Sequence, residues 1–268
     1  MKAEERGLED HGQKESMGSQ EEAKVHFGYK LVALSEKKRL VSLHFDKVAP
    51  KYDFMNTLLS MGAHILWKRT AIEALRLKPG DRVLDMCAGT GDMALLALKK
   101  VGPSGLVLLY DMNLAMMQRA RRKLLSTKDP KAVGMILGDA EQQGIKQDVF
   151  DASIVAFGIR NLTNMEQGFR EMFRVLKPGG TMLCLEFSNP VTPWFKKLYD
   201  FYSFHVMPAL GKLLAGSRQA YTYLPESIRV FPGPEELAQL LTSIGFQGVR
   251  YRRLTDGIAV IHVGKKPR

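Results

Sequence analysis

Between Arg82 and Phe187, short apolar runs alternate with stretches of helical spacing. Arg82–Cys87, Leu106–Tyr110, Gly134–Leu137, Ala152–Phe157 and Thr181–Phe187 are short and largely apolar, as strands buried on both faces should be. Between them, Asp92–Lys100, Asn113–Leu125 and Met165–Leu176 carry apolar residues three and four apart, which predicts helices. Strands alternating with helices imply a parallel sheet covered on both faces and joined by right-handed crossovers. A further helix is expected at Glu235–Ile244. Beyond it, Val249–Leu254 and Ile258–Val263 flank Thr255-Asp256-Gly257, a hairpin signal that adds an antiparallel edge.

Upstream, Val25 to Leu77 repeats apolar residues at helical spacing (Leu40, Leu43, His44; Leu58, Leu59; Ile72, Leu75), and Lys78-Pro79-Gly80 ends the segment. Residues 1–24 lack large apolar side chains almost entirely and are expected to be a disordered tail. The division is therefore a tail at 1–24, a helical lid at 25–77, and a main domain at 78–268. Within that domain an aromatic helical insertion spans about 190–232, its densest part running from Pro193 to Gly216.

The 268 residues are 45% hydrophobic and 25% charged, which excludes collagen-like and low-complexity classes. No apolar run is long enough to cross a bilayer, and no secretory leader is evident. Cys87 and Cys184 are too few for a disulfide framework or a metal cage, so no metal is expected and the cytoplasm is the expected compartment. Outside residues 1–24 the chain holds 35 basic and 21 acidic side chains, a net +14. That excess suits nucleic acid, anionic lipid or an anionic cofactor. No tandem aromatic–basic motif of an RNA-recognition domain accompanies it, so no nucleic-acid partner is expected.

The chemistry is concentrated in Val83-Leu84-Asp85-Met86-Cys87-Ala88-Gly89-Thr90-Gly91-Asp92, between the first strand and first helix of the sheet. Open α/β sheets bind ligands there. Gly89 and Gly91 allow close backbone approach, and as a bare pattern they also satisfy the dinucleotide fingerprint. Asp85 ends strand one, Asp111 strand two, and Asp139-Ala140 strand three. A carboxylate at Asp85 would repel a pyrophosphate but attract a sulfonium and its amino group. Asp111 is placed for ribose hydroxyls and Asp139 for an adenine amine, although both would also suit helix caps. Together the carboxylates favour S-adenosylmethionine over NAD.

The loop resembles motif I of the class I methyltransferases, and two longer stretches are similar to the signatures of the ubiquinone/menaquinone biosynthesis C-methyltransferases. These are Tyr52-Asp53-Phe54-Met55-Asn56-Thr57 through Trp67, and Arg174-Val175-Leu176-Lys177-Pro178-Gly179-Gly180 through Ser188. His26-Phe27-Gly28-Tyr29 and Phe157-Gly158-Ile159-Arg160-Asn161 resemble further family segments. The resemblance implies a Rossmann-like α/β fold with a doubly wound, mostly parallel seven-stranded sheet, and methyl transfer from S-adenosylmethionine to a ring carbon of a polyprenylated quinol. By position it assigns Thr90, Asp111 with Met112, and Asp139-Ala140 to the cofactor, beside Asp85, Gly89 and Gly91. Ala156 stands where many members have Ser, and Cys87 where many have Gly; the latter is expected to be a small loop residue and not a nucleophile.

An electron-poor quinone ring cannot attack a methyl group, but the reduced quinol can. The site must orient that ring, stabilise a phenolate and remove the ring proton. Arg160 and Asn161 are the candidates beside the crevice, Tyr52 and Asp53 (with Asn56 and His64) those of the lid, and His205 a candidate base within the insertion. The aromatic insertion, with Lys196, Lys197 and Lys212, suits a prenyl tunnel or peripheral contact with the inner face of the cytoplasmic membrane. A homo-oligomer is a further expected association. The competing functions are a methyltransferase of the same fold acting on another hydrophobic small molecule, and an RNA-binding methyltransferase.

Overall fold

The computed structural model describes residues 23–125, 132–215 and 218–268. Its centre is a seven-stranded sheet built from β3 (Arg82–Met86), β4 (Leu106–Asp111), β5 (Val133–Leu137), β6 (Phe150–Ala156), β7 (Leu176–Phe187), β8 (Gln247–Leu254) and β9 (Ala259–Lys265). The spatial order is β5-β4-β3-β6-β7-β9-β8, parallel except where β9 runs antiparallel to β7 and β8. The chain leaves β3 in one direction and returns to start β6 on its other side. This reversal opens a crevice at the carboxyl ends of β3 and β6.

Alternation along β3 sorts the core into two layers. Val83 points to the face covered by α3 (Ala63–Leu75) and α4 (Asp92–Val101), where Ala71, Ala94 and Ala97 are buried. Leu84 and Met86 point to the opposite face, against Phe169 and Met172 of α6 (Met165–Val175) and Leu237 and Leu241 of α10 (Pro234–Ile244). The expected turn Lys177-Pro178-Gly179-Gly180 is a bulge at the start of β7. Leu176 pairs with Phe150, and pairing resumes at Thr181 with Ala152.

The structure departs from the expected lid at its start. β1 (Lys24–Phe27) and β2 (Lys30–Ala33) form an antiparallel hairpin where a helix was expected, and β1 includes Lys24, which was assigned to the tail. Val25 and Phe27 alternate with polar residues over too few positions for the longer helical pattern to reveal them, and Phe27 stacks on Tyr223 with ring centroids 4.3 Å apart. Residues 1–22 of the tail lie outside the described residues. From the hairpin the chain enters α1 (Leu34–Val48) and α2 (Tyr52–Leu59), then α3.

The insertion is not one helix. α7 (Pro193–Phe201) widens into a π turn at Tyr202–Val206 before α8 (Met207–Ala215), and α9 (Arg218–Arg229) follows, within the expected insertion but beyond its densest aromatic part. Pro208 explains the widening. It has no N–H for the regular bond, so the turn before it takes a longer one. No helix among the described residues is long and apolar enough to cross a membrane.

Candidate functional site

The glycine loop leaves β3 through a left-handed turn. Cys87 (φ +55°), Gly89 (φ +55°) and Gly91 (φ +79°) all have positive φ, which costs a non-glycine residue strain. Gly158 leaves room for the Cys87 side chain, since a Cβ there would lie 2.5 Å from the Cys87 Cβ. Gly91 caps α4 where a Cβ would press on Ala120 and Leu109 at 3.2 Å. Burial raises the Cys87 thiol well above its ordinary range, so it is no ready nucleophile.

Two carboxylates fix this loop from beneath. Asp85, fully buried, accepts the Ala94 N–H at 3.0 Å and so caps α4 from inside the sheet. Asp111 accepts Gly89 N–H and Asn113 N–H, each at 2.8 Å, through different oxygens. Around them lies a cavity of about 90 Å³ that also reaches Gly89, Thr90, Met112, Ala140, Ala156 and Asn161. Burial, reinforced by Asp111 and opposed by the Ala94 bond, pushes the Asp85 carboxyl up to about 8. Burial also raises Asp111. Asn161 Nδ2 is buried without a partner on the same wall. A space lined by desolvated acids and an idle donor fits a cation that brings its own hydroxyls and acceptors.

A larger, mostly apolar cavity of about 420 Å³ adjoins it, sharing Phe45, Tyr52, Lys68 and Phe157 as common wall. Its remaining wall comes from the lid and insertion, including His44, His64, Tyr199, Tyr202 and Tyr223. Arg160 is its fixed cation. One terminal nitrogen donates to the Phe157 carbonyl (2.6 Å) and to Glu186 (2.7 Å), Nε donates to Ser227 Oγ (3.3 Å), and the group lies 5.4 Å over the Phe187 ring. Burial raises the Glu186 carboxyl despite that partner, and its second oxygen is unbonded. Desolvation holds His44 and His64 neutral, at about 4 each, helped by Arg160 beside the first and Lys68 beside the second.

The lid is latched to the sheet by ions. Lys37 Nζ donates to the Leu162 carbonyl (2.6 Å), Lys38 pairs with Asp139 (2.7 Å), and Asn113 donates to Asp46 (2.8 Å). Asp53 at the start of α2 accepts the Thr90 hydroxyl at 2.6 Å and pairs with Lys123 at 2.6 Å. Lys123 and Lys68 in turn flank Asp92, each at 2.7 Å, and hold its carboxyl down to about 2 against desolvation.

These two joined cavities sit in a chain whose residues 32–266 match the model of the ubiE/COQ5 methyltransferase family. The chain belongs to that family. Among curated relatives, the ubiquinone/menaquinone biosynthesis C-methyltransferase UbiE of Pseudomonas fluorescens is 44% identical over 250 residues, covering 93% of this chain and 98% of the relative. The UbiE protein of Pasteurella multocida is 42% identical over 245 residues, covering 91% of each. The fold is shared more widely. A Thermotoga maritima S-adenosylmethionine-dependent methyltransferase superposes with a TM-score of 0.56 at 18% identity, covering 83% of this chain and 99% of that one. Haemonchus contortus phosphoethanolamine N-methyltransferase 2, solved with S-adenosylhomocysteine, gives 0.56 at 15%, covering 75% and 52%. A ubiE/COQ5 methyltransferase is not a nicotinamide dehydrogenase, and the NAD reading of the glycine pair falls.

Within this family member, Asp85, Gly89, Thr90, Gly91, Asp111, Met112, Ala140 and Ala156 gather at the first cavity or its loop, and Asn161 joins them there instead of at the ring end. Asp139 is not among the residues that line that cavity; one of its oxygens pairs with Lys38 and the other accepts the Glu141 N–H. Tyr52 and Arg160 line the second cavity. Asp53 lines neither; its carboxylate is bonded to Thr90 and Lys123. His205 is exposed on the π turn, stacked on Phe201 and bonded to its carbonyl, away from the ring space. His44, a position in the helical stripe of α1 that periodicity alone does not mark out, lines the second cavity near Arg160.

Proposed function

We infer that this protein transfers a methyl group from S-adenosylmethionine to a ring carbon of a polyprenylated quinol, demethylmenaquinol or the corresponding benzoquinol of ubiquinone synthesis. One observation supports the reading above others: an acidic cavity and an apolar cavity with a fixed cation share a wall of Tyr52, Phe157, Phe45 and Lys68. A cationic donor suits the first and a greasy phenol the second. Asp111 with the Gly89 loop would hold the donor's ribose, and Asp85 would face its positive end. S-adenosylmethionine, when bound, supplies a methyl carbon activated by the adjacent sulfonium.

The chain's own residues orient the acceptor. Arg160, pinned by Phe157, Glu186 and Ser227, stabilises the phenolate that pushes electron density to the ortho carbon. Guanidinium stays protonated, so it does not take the proton. His44, neutral and on the cavity wall, receives the proton released from the ring as aromaticity returns. A lid packed over both cavities keeps water from the activated methyl. The tail of such a substrate belongs in a lipid phase, which supports work at a membrane face, and we take that face to be the inner, cytoplasmic one. Incubation of the purified protein with labelled S-adenosylmethionine and each reduced quinol tests the reading. Label should enter a quinol ring; a protein that binds the donor yet labels no prenylated quinol would end it in favour of another hydrophobic acceptor.

A further inference from the structure

Resting on that substrate reading, we propose that the face formed by α2 and α7 docks on an anionic lipid bilayer, with the larger cavity opening directly into it. α7 carries an outward stripe of Trp194, Leu198 and Phe201, spaced four and three apart on one side of the helix. A second stripe, Phe54, Leu58 and Met61, runs along α2 and its terminal turn with the same spacing. All six are exposed, Trp194 at 68% and Met61 at 89%, whereas single scattered apolar residues are the norm on a soluble surface. The elements adjoin, since Tyr202 at the end of α7 donates to the Leu59 carbonyl at the end of α2 (2.8 Å).

Continuity with the cavity selects lipid as the occupant. Leu198 and Met61 belong to both surfaces: they are exposed on the patch and they line the 420 Å³ space. At 3.6 residues per turn, Phe195, Tyr199 and Tyr202 face inward from one side of the stripe, and exposed Lys197 borders its other side. An aromatic stripe with a flanking lysine suits an interfacial helix on anionic headgroups. A quinol could then slide its ring into the cavity while its tail stays in the bilayer.

Co-sedimentation of the full chain with phosphatidylglycerol–phosphatidylcholine vesicles and with phosphatidylcholine vesicles tests this. The wild type should pellet with both and more strongly with the anionic ones. The double variant Trp194→Ser/Phe201→Ser, at residues that do not line the cavity, should lose at least about tenfold in partitioning. Lys197→Gln should lose about fivefold on anionic vesicles alone. With a short-tail quinol in solution, the double variant should match wild-type turnover; with a long-tail quinol in vesicles, its turnover should fall as its binding does. A wild type that stays in the supernatant, or a double variant that pellets like it, overturns the proposal. So does a wild-type dimer in sedimentation velocity that the double variant converts to monomer, because a second copy then covers the face. Vesicle binding without methylation of any quinol leaves the docking surface standing and removes the substrate reading.

Discussion

The two cavities are made differently. The acidic one has its floor in strand ends and the loop after β3, positions fixed by the hydrogen-bond ladder of the sheet. Its carboxylates are tied to backbone N–H groups, and Val41, Ser42, Phe45 and Tyr52 of the lid close over it. The apolar one takes most of its walls from α1, α2, the start of α3, α7, the π turn and α9. Of these α3 belongs to the sheet's own core, while the others meet one another in a separate cluster around Val48, Met55, Met207 and Tyr221. Generic chemistry, holding a donor, is assigned to the rigid half. Acceptor choice is assigned to the half that can be rebuilt without disturbing the sheet.

Breaking the apolar half at its fixed charge should have the largest effect. Arg160→Lys keeps a partner for Glu186 but loses the planar fork, and kcat should fall by about 10²–10³-fold with donor affinity nearly unchanged. Complete replacement by Leu would leave Glu186 buried and unpaired, costing about 3–5 kcal/mol of stability by thermal unfolding. On the acidic side, Asp111→Ala should weaken S-adenosylhomocysteine about 10–100-fold by calorimetry, while the ring cavity keeps its shape.

A subtler test uses pH. Burial pushes the Asp85 carboxyl up to about 8, and a sulfonium favours its charged form. Below pH 8 the donor must displace a proton, so affinity for S-adenosylmethionine relative to its neutral-sulfur product should rise as pH increases from 6 to 8 and then level. Asp85→Asn, which keeps an acceptor for Ala94 N–H, should flatten that ratio. The histidines act in the opposite half. His44 and His64 titrate at about 4 when folded and near 6.5 when unfolded, so the unfolded chain binds more protons between those values. Stability should be retained above pH 6.5 and lost as pH falls toward 4, and His64→Gln should shrink that loss in a melting series. The smallest effect is expected at the latch. Asp53→Asn removes a partly exposed pair worth up to about 1 kcal/mol, read as a modest rise in KM for both substrates.

Most of the acidic half was legible in the sequence because its determinants are local. Strand, loop and helix follow one another within Arg82–Val101, so Asp85, Gly89 and Gly91 declare their positions by order alone. Asp139 marks the limit of that logic: it ends the correct strand, yet Lys38, 101 positions away, claims its oxygen. The apolar half depends on such distant meetings. Tyr223 donates to Asn161, Trp67 to Thr255, and His44 packs against Tyr223, none of which a periodic pattern encodes. Asp53 and His205 are candidates by residue type and by their place in the lid and the insertion, neither of which reveals that Lys123 and Thr90 reach the one while solvent reaches the other. The antiparallel edge after Thr255-Asp256-Gly257 was readable, and the hairpin at Lys24–Ala33 was not, because its strands have only four residues each.

Asp53 joins Thr90 of the glycine loop to the same helix that walls the acceptor space. Lifting α2 to exchange the spent nucleoside would also dismantle the acceptor's binding place, whose wall holds Tyr52, Asn56 and Leu59 of that helix. Turnover should accordingly run in compulsory order, nucleoside entering first and leaving last, with the spent nucleoside a competitive inhibitor against the methyl donor and a noncompetitive one against the quinol.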